Sequence, residues 1–279
     1  MLSYRHEFHA GNYADVLKHA VLCQILAYMV KKNTPFLYLD THAGAGVYDL
    51  GSDRANKTAE YRTGVAALLQ HASPLPEALA PYIDYLKVLN PNGLKHYPGS
   101  PKLAQQWLRA SDRMILCEKH PADFPVLQEA LSRVKNVLCV QEDGFEKAFG
   151  SLPPKEKRGL VLIDPSYEVK AEYQWVADNL QKLLRRFATG VYAVWYPWAH
   201  QALTDHMIND IKQRMNRPLH RYEIGHTQDH SLQGMTGAGM LVVNPPWVLR
   251  EAVAQVLPVL TEIMCPGGYW KCEVLVGEG

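Results

Sequence analysis

Charge of one sign is the first thing this chain lacks. Its 279 residues carry 29 basic and 28 acidic side chains, a net charge of +1. That balance excludes a molecule-wide field for a polyanion, so any nucleic-acid surface must be a local patch. Cysteine is scarce too. The five residues, at 23, 117, 139, 265 and 272, are odd in number and contain no C-x-x-C pair. Neither a disulfide framework nor a zinc site is expected. Three of them lie in apolar runs, where a thiol is a small core residue, and a reducing cytoplasm is the expected setting. The apolar stretch Ala20–Val30 is too short to span a bilayer. It carries Gln24, ends on Lys31-Lys32 and lacks a small-residue cleavage site, so it reads as a core helix and no membrane is implied. No internal repeat or low-complexity tract is present.

What is present is alternation. Short apolar runs at Phe36–Leu39, Arg113–Cys117, Val137–Val140, Leu160–Ile163, Val191–Trp195, His220–Ile224 and Met240–Val243 are separated by helix-like segments near 12–31, 101–110, 121–133, 144–149, 171–187, 198–215 and 247–263. Seven strands alternating with helices predict a mostly parallel sheet covered on both faces. The spacing is uneven. The stretch from Asp40 to Glu118 is about three times as long as that from Glu118 to Asp143, and a strand-helix-strand unit needs only about 30 residues. Residues 50–99 are therefore expected to form an inserted helical subdomain, with helices near 58–71 and 76–90. Residues 1–49 and 100–279 would form the core.

The strand ends carry the chemistry. Phe36–Asp40 empties into Thr41-His-Ala-Gly-Ala-Gly46, a glycine turn that lets a ligand approach the main chain. Its spacing departs from G-x-G-x-x-G, which argues against a dinucleotide. The next run ends on Glu118, where an acid typically grips ribose hydroxyls. The third ends on Asp143-Gly144, a second acceptor placed to hold an adenine amine. Each acid alone reads first as a helix cap or a solvated charge, and Ser100-Pro101 reads first as a cap with proline in the first turn. The fourth run ends on Asp164-Pro-Ser-Tyr167. An aryl amine is a poor nucleophile because its lone pair is delocalised into the ring. Accepting both of its hydrogens, on the Asp164 carboxylate and the Pro165 carbonyl, favours a pyramidal nitrogen, and Tyr167 can stack on an extruded base. Asn244-Pro-Pro-Trp247 fits an amino-methyltransferase consensus better. It ends the last strand, which in such a sheet runs antiparallel, so it should face away from the ligand and simply turn a strand into a helix.

Extended motifs then identify a family. Met1-Leu-Ser-Tyr-Arg-His6, Phe8-His-Ala-Gly-Asn12, Ala14-Asp-Val-Leu-Lys-His19, Tyr38-Leu-Asp-Thr-His-Ala-Gly-Ala-Gly46, Tyr97-Pro-Gly-Ser-Pro101, Asp143-Gly-Phe145, Phe187-Ala-Thr-Gly190, Trp195-Tyr-Pro197 and Asn244-Pro-Pro-Trp247 resemble the RlmJ-type methyltransferases of bacterial large-subunit rRNA, over essentially the whole chain. Proteins that look like this one also carry an older label, a role in using external DNA as a nutrient. The resemblance implies a Rossmann-like, class I S-adenosylmethionine-dependent fold and methylation of an adenine N6 in 23S rRNA. It implies a protein-free or early-assembly rRNA partner, a chain acting as a monomer, and no metal. It implies that His19, His42, Gly44, Gly46, Ser100, Glu118, Asp143 and Gly144 bind S-adenosylmethionine and that Asp164 is the catalytic acceptor. Tyr4, His6 and Lys18 resemble its active-site or substrate residues, with Lys18 standing among the cofactor contacts.

One departure stands out. The family motif is Asp-Pro-Pro-Tyr, and Ser166 replaces its second proline. Serine frees a φ that proline fixes and restores an N–H, a loss of rigidity worth roughly 0.4–1 kcal/mol in stability terms. Both amine acceptors survive, so a modest slowing is expected. Two other readings compete: a nucleic-acid binder for external DNA that has lost turnover through Ser166, and a nicotinamide dehydrogenase, which the glycine spacing disfavours.

Overall fold

The computed structural model describes residues 5–131, 133–232 and 234–277. In chain order, helix α1 (Tyr13–Met29) precedes strands β1 (Leu37–Asp40) and β2 (Val47–Asp49). Then come α2 (Asp53–Thr58), α3 (Val65–Gln70), α4 (Ala80–Leu89), β3 (His96–Pro98) and α5 (Ser100–Gln105). Strand and helix next alternate through β4 (Arg113–Cys117), α6 (Phe124–Leu131), β5 (Val137–Val140), α7 (Gly144–Ser151), β6 (Gly159–Ile163), α8 (Glu172–Arg186), β7 (Val191–Pro197) and α9 (Gln201–Arg214). The chain ends with β8 (Leu219–Gly225), β9 (Gly237–Val243), α10 (Leu249–Met264) and β10 (Tyr269–Val276).

The main sheet has the order β10-β8-β9-β7-β6-β1-β4-β5. β1 pairs in parallel with β4 and β6, and β5 and β7 extend the parallel set on either side. β9 enters antiparallel between β7 and β8. This is the Rossmann-like methyltransferase arrangement that the sequence implied, with one correction: among the described residues the sheet has eight strands, not seven. The extra one, β10, pairs antiparallel with β8 at the edge. Its charges Lys271 and Glu273 interrupt the apolar pattern, and no strand covers its far side, so half-buried positions replace an apolar run.

Side-chain alternation builds a core on each face of the sheet. Tyr38, Met114, Leu116, Leu160 and Leu162 join α1 and α10 in one cluster. Leu37, Leu39, Ile115, Val161 and Ile163 join α8 and α9 in the other. α1 is buried nearly all round, polar residues included, which is why its apolar stretch suggested a core helix.

Within 50–99, the expected helix at 58–71 is broken. Ala59 has a left-handed φ of +53°, and a 3-10 turn at Glu60–Arg62 separates α2 from α3. Gly64 forces the break by packing on the N-terminal segment: a Cβ there would lie 2.1 Å from the Gly11 carbonyl oxygen, which accepts the Val65 N–H. β2 and β3 form a short antiparallel ribbon at the two ends of the segment. Leu68, Leu79, Tyr82 and Leu86 belong to the same core cluster as α1 and α10.

Candidate active site

Because β1, β4, β5 and β6 are parallel, the residues after them meet at one edge of the sheet. Asp40, fully buried, braces that edge. Its carboxylate accepts from Tyr38 Oη at 2.9 Å, Ser100 Oγ at 2.7 Å and the His42 N–H at 3.2 Å, and burial pushes its pKa up to about 6. The glycine turn follows. Gly44 has a φ of +62°, and a Cβ on it would lie 2.2 Å from Tyr48 Oη, so a side chain is excluded. Its N–H donates to Glu118 Oε2 at 2.7 Å, while the His120 N–H donates to Glu118 Oε1 at 2.6 Å. Burial raises the Glu118 pKa against those two donors.

Asp143 caps α7, accepting from the Phe145 N–H at 3.0 Å and the Glu146 N–H at 3.3 Å. Burial works against its ionisation, but these amides and Lys119 outweigh it and hold the carboxyl below its usual range. Gly144 lets that helix end close on the glycine turn, since a Cβ there would meet the Thr41 carbonyl oxygen at 2.0 Å. His42 contacts Thr41 Oγ1 at 2.8 Å, and burial depresses its pKa to about 4, leaving a neutral ring. Gly46 does not reach the cavity. Its φ is +81°, and its carbonyl accepts the Gly99 N–H at 2.8 Å, so it joins the turn to the segment before Ser100.

Helix α1 delivers the other half. Asn12 caps it, accepting the Asp15 N–H at 3.0 Å. The Lys18 ammonium, almost fully buried, lies 2.7 Å from Asp15 Oδ1 and 2.6 Å from Asp164 Oδ2. Burial opposes its charge, but the two carboxylates win and raise its pKa. For Asp164 burial prevails over Lys18, and its pKa is raised. Asp15 also takes His6 Nε2 at 2.8 Å and the Gly11 N–H at 3.0 Å. His6 and Lys18 overcome its burial and hold it well below the usual carboxylate range. Sequence reasoning did not single out Asp15; an acid one helical turn before Lys18 on a buried helix was the available signal. His19, 1% exposed, contacts Tyr97 Oη at 2.8 Å through Nδ1, and its Nε2 has no hydrogen-bond partner among the described residues. Burial, then the Lys18 charge, lower its pKa to about 3.

The chain leaves β6 through Asp164-Pro165-Ser166-Tyr167. Tyr167 sits at a left-handed φ of +56°, held there by its surroundings. Its hydroxyl donates to the Trp195 carbonyl at 2.8 Å, and its ring centroid lies 4.6 Å from that of Tyr173. At 5% exposure the ring is part of the core as well as of the cavity wall.

These groups line one cavity of about 640 Å³, within the range of small-molecule and cofactor sites. It brings together His6, Lys18, His19, His42, Gly44, Ser100, Glu118, Asp143, Gly144, Asp164, Pro165 and Tyr167. Tyr4 lies outside the described residues. Asn244 is at the opposite edge: Val243 pairs with Tyr192 at the start of β7, and the Asn244 amide donates to the carbonyls of Ala188 at 3.0 Å and Gly190 at 2.7 Å. The donor set fits a nucleoside cofactor carrying positive charge. Carboxylates crowd the wall, which Gly44 and Gly144 also line, and the His19 Nε2 atom has no hydrogen-bond partner among the described residues.

Comparison with known proteins agrees. Residues 33–276 match the family model described as "Ribosomal RNA large subunit methyltransferase D, RlmJ". The chain is 43% identical to the ribosomal RNA large subunit methyltransferase J of Haemophilus influenzae, with all of both chains covered. It is 45% identical to the protein of that name from Escherichia coli, over 96% of each. A crystal structure of a Legionella pneumophila protein, 38% identical, superposes with a TM-score of 0.89 over 95% of this chain and 98% of that one.

Proposed function

We propose, for a chain that belongs to the RlmJ family of ribosomal RNA large-subunit methyltransferases, that it transfers a methyl group from S-adenosylmethionine to the N6 amine of an adenine in 23S rRNA. The observation that carries the choice of an amine is the buried Asp164–Lys18 pair at the centre of the cavity, 2.6 Å apart. An ionised carboxylate accepts an amine N–H more strongly than a neutral carboxyl does, and it can also take up the proton. Burial alone would neutralise Asp164, and the Lys18 ammonium opposes that. Lys18 takes Oδ2 and leaves Oδ1 for the substrate amine. Pro165 stands next to it as the second acceptor, and Tyr167 closes the wall behind the base.

The cofactor, when bound, supplies an electrophilic methyl group for direct displacement by nitrogen. The chain's own residues do the rest. Glu118 and Asp143 offer acceptors on the side of the cavity where ribose and adenine would lie. The neutral His19 and His42 offer ring nitrogens that add no positive charge beside a cationic ligand. Asp164 stabilises the positive charge that develops on N6 and is the nearest site for its proton. The intact acceptor pair favours turnover over a binding-only role for external DNA. We place the protein in the cytoplasm, where its rRNA substrate is, and expect it to act as a monomer; its five cysteines are free.

Calorimetry on the wild type should show binding of S-adenosylhomocysteine and none of NAD. Mass spectrometry of 23S rRNA from cells lacking the gene should show one missing N6-methyladenine. Asp164→Ala should abolish methylation of that rRNA in vitro, with S-adenosylhomocysteine affinity changed no more than a few fold. An Asp164→Ala protein that still turns over would move the chemistry elsewhere.

A further inference from the structure

The cavity extends past the acceptor pair. Beyond Asp164 and Tyr167 its wall is made by Val169, Trp175, Val176, Trp195 and His200. Burial falls outward along this wall. Tyr167 is 5% exposed and Val176 fully buried, whereas Val169 is 49% and Trp175 52% exposed. Side chains that line a cavity and are half open to solvent mark its mouth.

Trp175 is out of place for a packing residue. α8 is amphipathic, and Tyr173, Val176, Leu180 and Leu183 face the core. Trp175 lies off that stripe, and no other ring among the described residues stacks on it. Leaving an indole half solvated forfeits burial free energy. Next to a substrate cavity, such a ring suits a ligand with a flat apolar face. An adenine pulled from its helix to reach Asp164 leaves its neighbour unstacked, and proteins that hold single-stranded RNA offer aromatic faces to such bases. Lys170, in the turn just before α8, is exposed.

We propose that Trp175 is the floor of a second nucleobase subsite, which stacks the base adjacent to the methylated adenine in the RNA strand. This rests on the rRNA methyltransferase reading. The target adenine occupies the buried end at Asp164. Its neighbour lies over the indole at the mouth, with Val169 against its edge. The subsite is sequence-tolerant, because stacking uses a face that every base has.

The test uses Trp175→Ala and Trp175→Phe in the full chain, with an unmodified single-stranded RNA carrying the target adenine and with adenosine as a one-base control. RNA affinity is measured by equilibrium binding, which needs no turnover. Trp175→Ala should weaken RNA binding about tenfold or more, raise KM for RNA with kcat nearly unchanged, and leave S-adenosylhomocysteine affinity unchanged. Trp175→Phe should recover most of the loss. The adenosine control should respond equally in wild type and variant. RNA affinity in Trp175→Ala within twofold of wild type would overturn the subsite, as would an equal loss toward adenosine, which would put the target base itself on Trp175. A wild type that binds RNA but never methylates it would instead overturn the proposed function, with the Trp175 result still read from binding.

Discussion

At the scale of single residues, the centre of the site is a line of side chains in contact: His6, Asp15, Lys18, Asp164. Its members come from three places in the sequence, and only their burial makes them one unit. If Asp164 acts as an ionised acceptor for the amine, as proposed, its raised pKa means that activity is lost, as pH falls, at a higher pH than for an ordinary carboxylate. Lys18 is the group that opposes this rise. Lys18→Met should therefore move the acid limb of the kcat profile to higher pH, besides lowering its plateau. A limb that stays in place would mean Lys18 is not the counter-ion of Asp164. Asp164 was legible because a strand end announced it. Asp15 was less so: its place one turn before Lys18 was visible, but that spacing does not by itself say that an acid is buried. Gly46 was legible as a turn residue, but φ alone gives no sign of whether a glycine faces a ligand or the chain behind it.

At the scale of elements, the central strands were readable because four or five apolar residues flanked by turn residues leave little choice. What pattern could not give was β10, whose edge position permits charge, or the break at Gly64, whose cause is contact with Gly11, more than fifty residues away in the chain. The two proline motifs separate at this scale. Direction decides between them: β6 points its C-terminal end at the cavity, and β9 points its own away. Asn244 spends both amide hydrogens on the carbonyls of Ala188 and Gly190. Asn244→Ala should leave those acceptors unpaired and cost about 1–3 kcal/mol, seen as a lower Tm with kcat and both KM values close to wild type. A selective loss of kcat without a fall in Tm would reverse the roles assigned to the two motifs.

At the scale of the whole molecule, the segment 50–99 shares its apolar residues with the sheet's first face. Leu68 from α3 and Leu79 before α4 are fully buried in one cluster with α1 and α10. We expect it to melt with the rest. Leu68→Ala should cost about 2–5 kcal/mol and lower a single calorimetric transition. Two separated transitions would mean that the segment is an independent unit. The spacing of strand ends suggested an insertion here, but its packing was beyond the sequence, because an amphipathic helix does not name the surface it covers.

The Lys18–Asp164 ion pair joins residues 146 positions apart. During synthesis α1 emerges first, with Lys18 held locally by Asp15. The second carboxylate does not exist until more than half the chain has been made, and β9, the antiparallel neighbour of β7, comes later still. A pair of this span is closed late, after the costly long-range ordering of the sheet. Nascent or truncated chains can therefore hold parts of the cavity wall without the ion pair at its centre. Methyl transfer becomes a property of the finished molecule alone, and recovery of activity should trail recovery of helical signal when the denatured protein refolds.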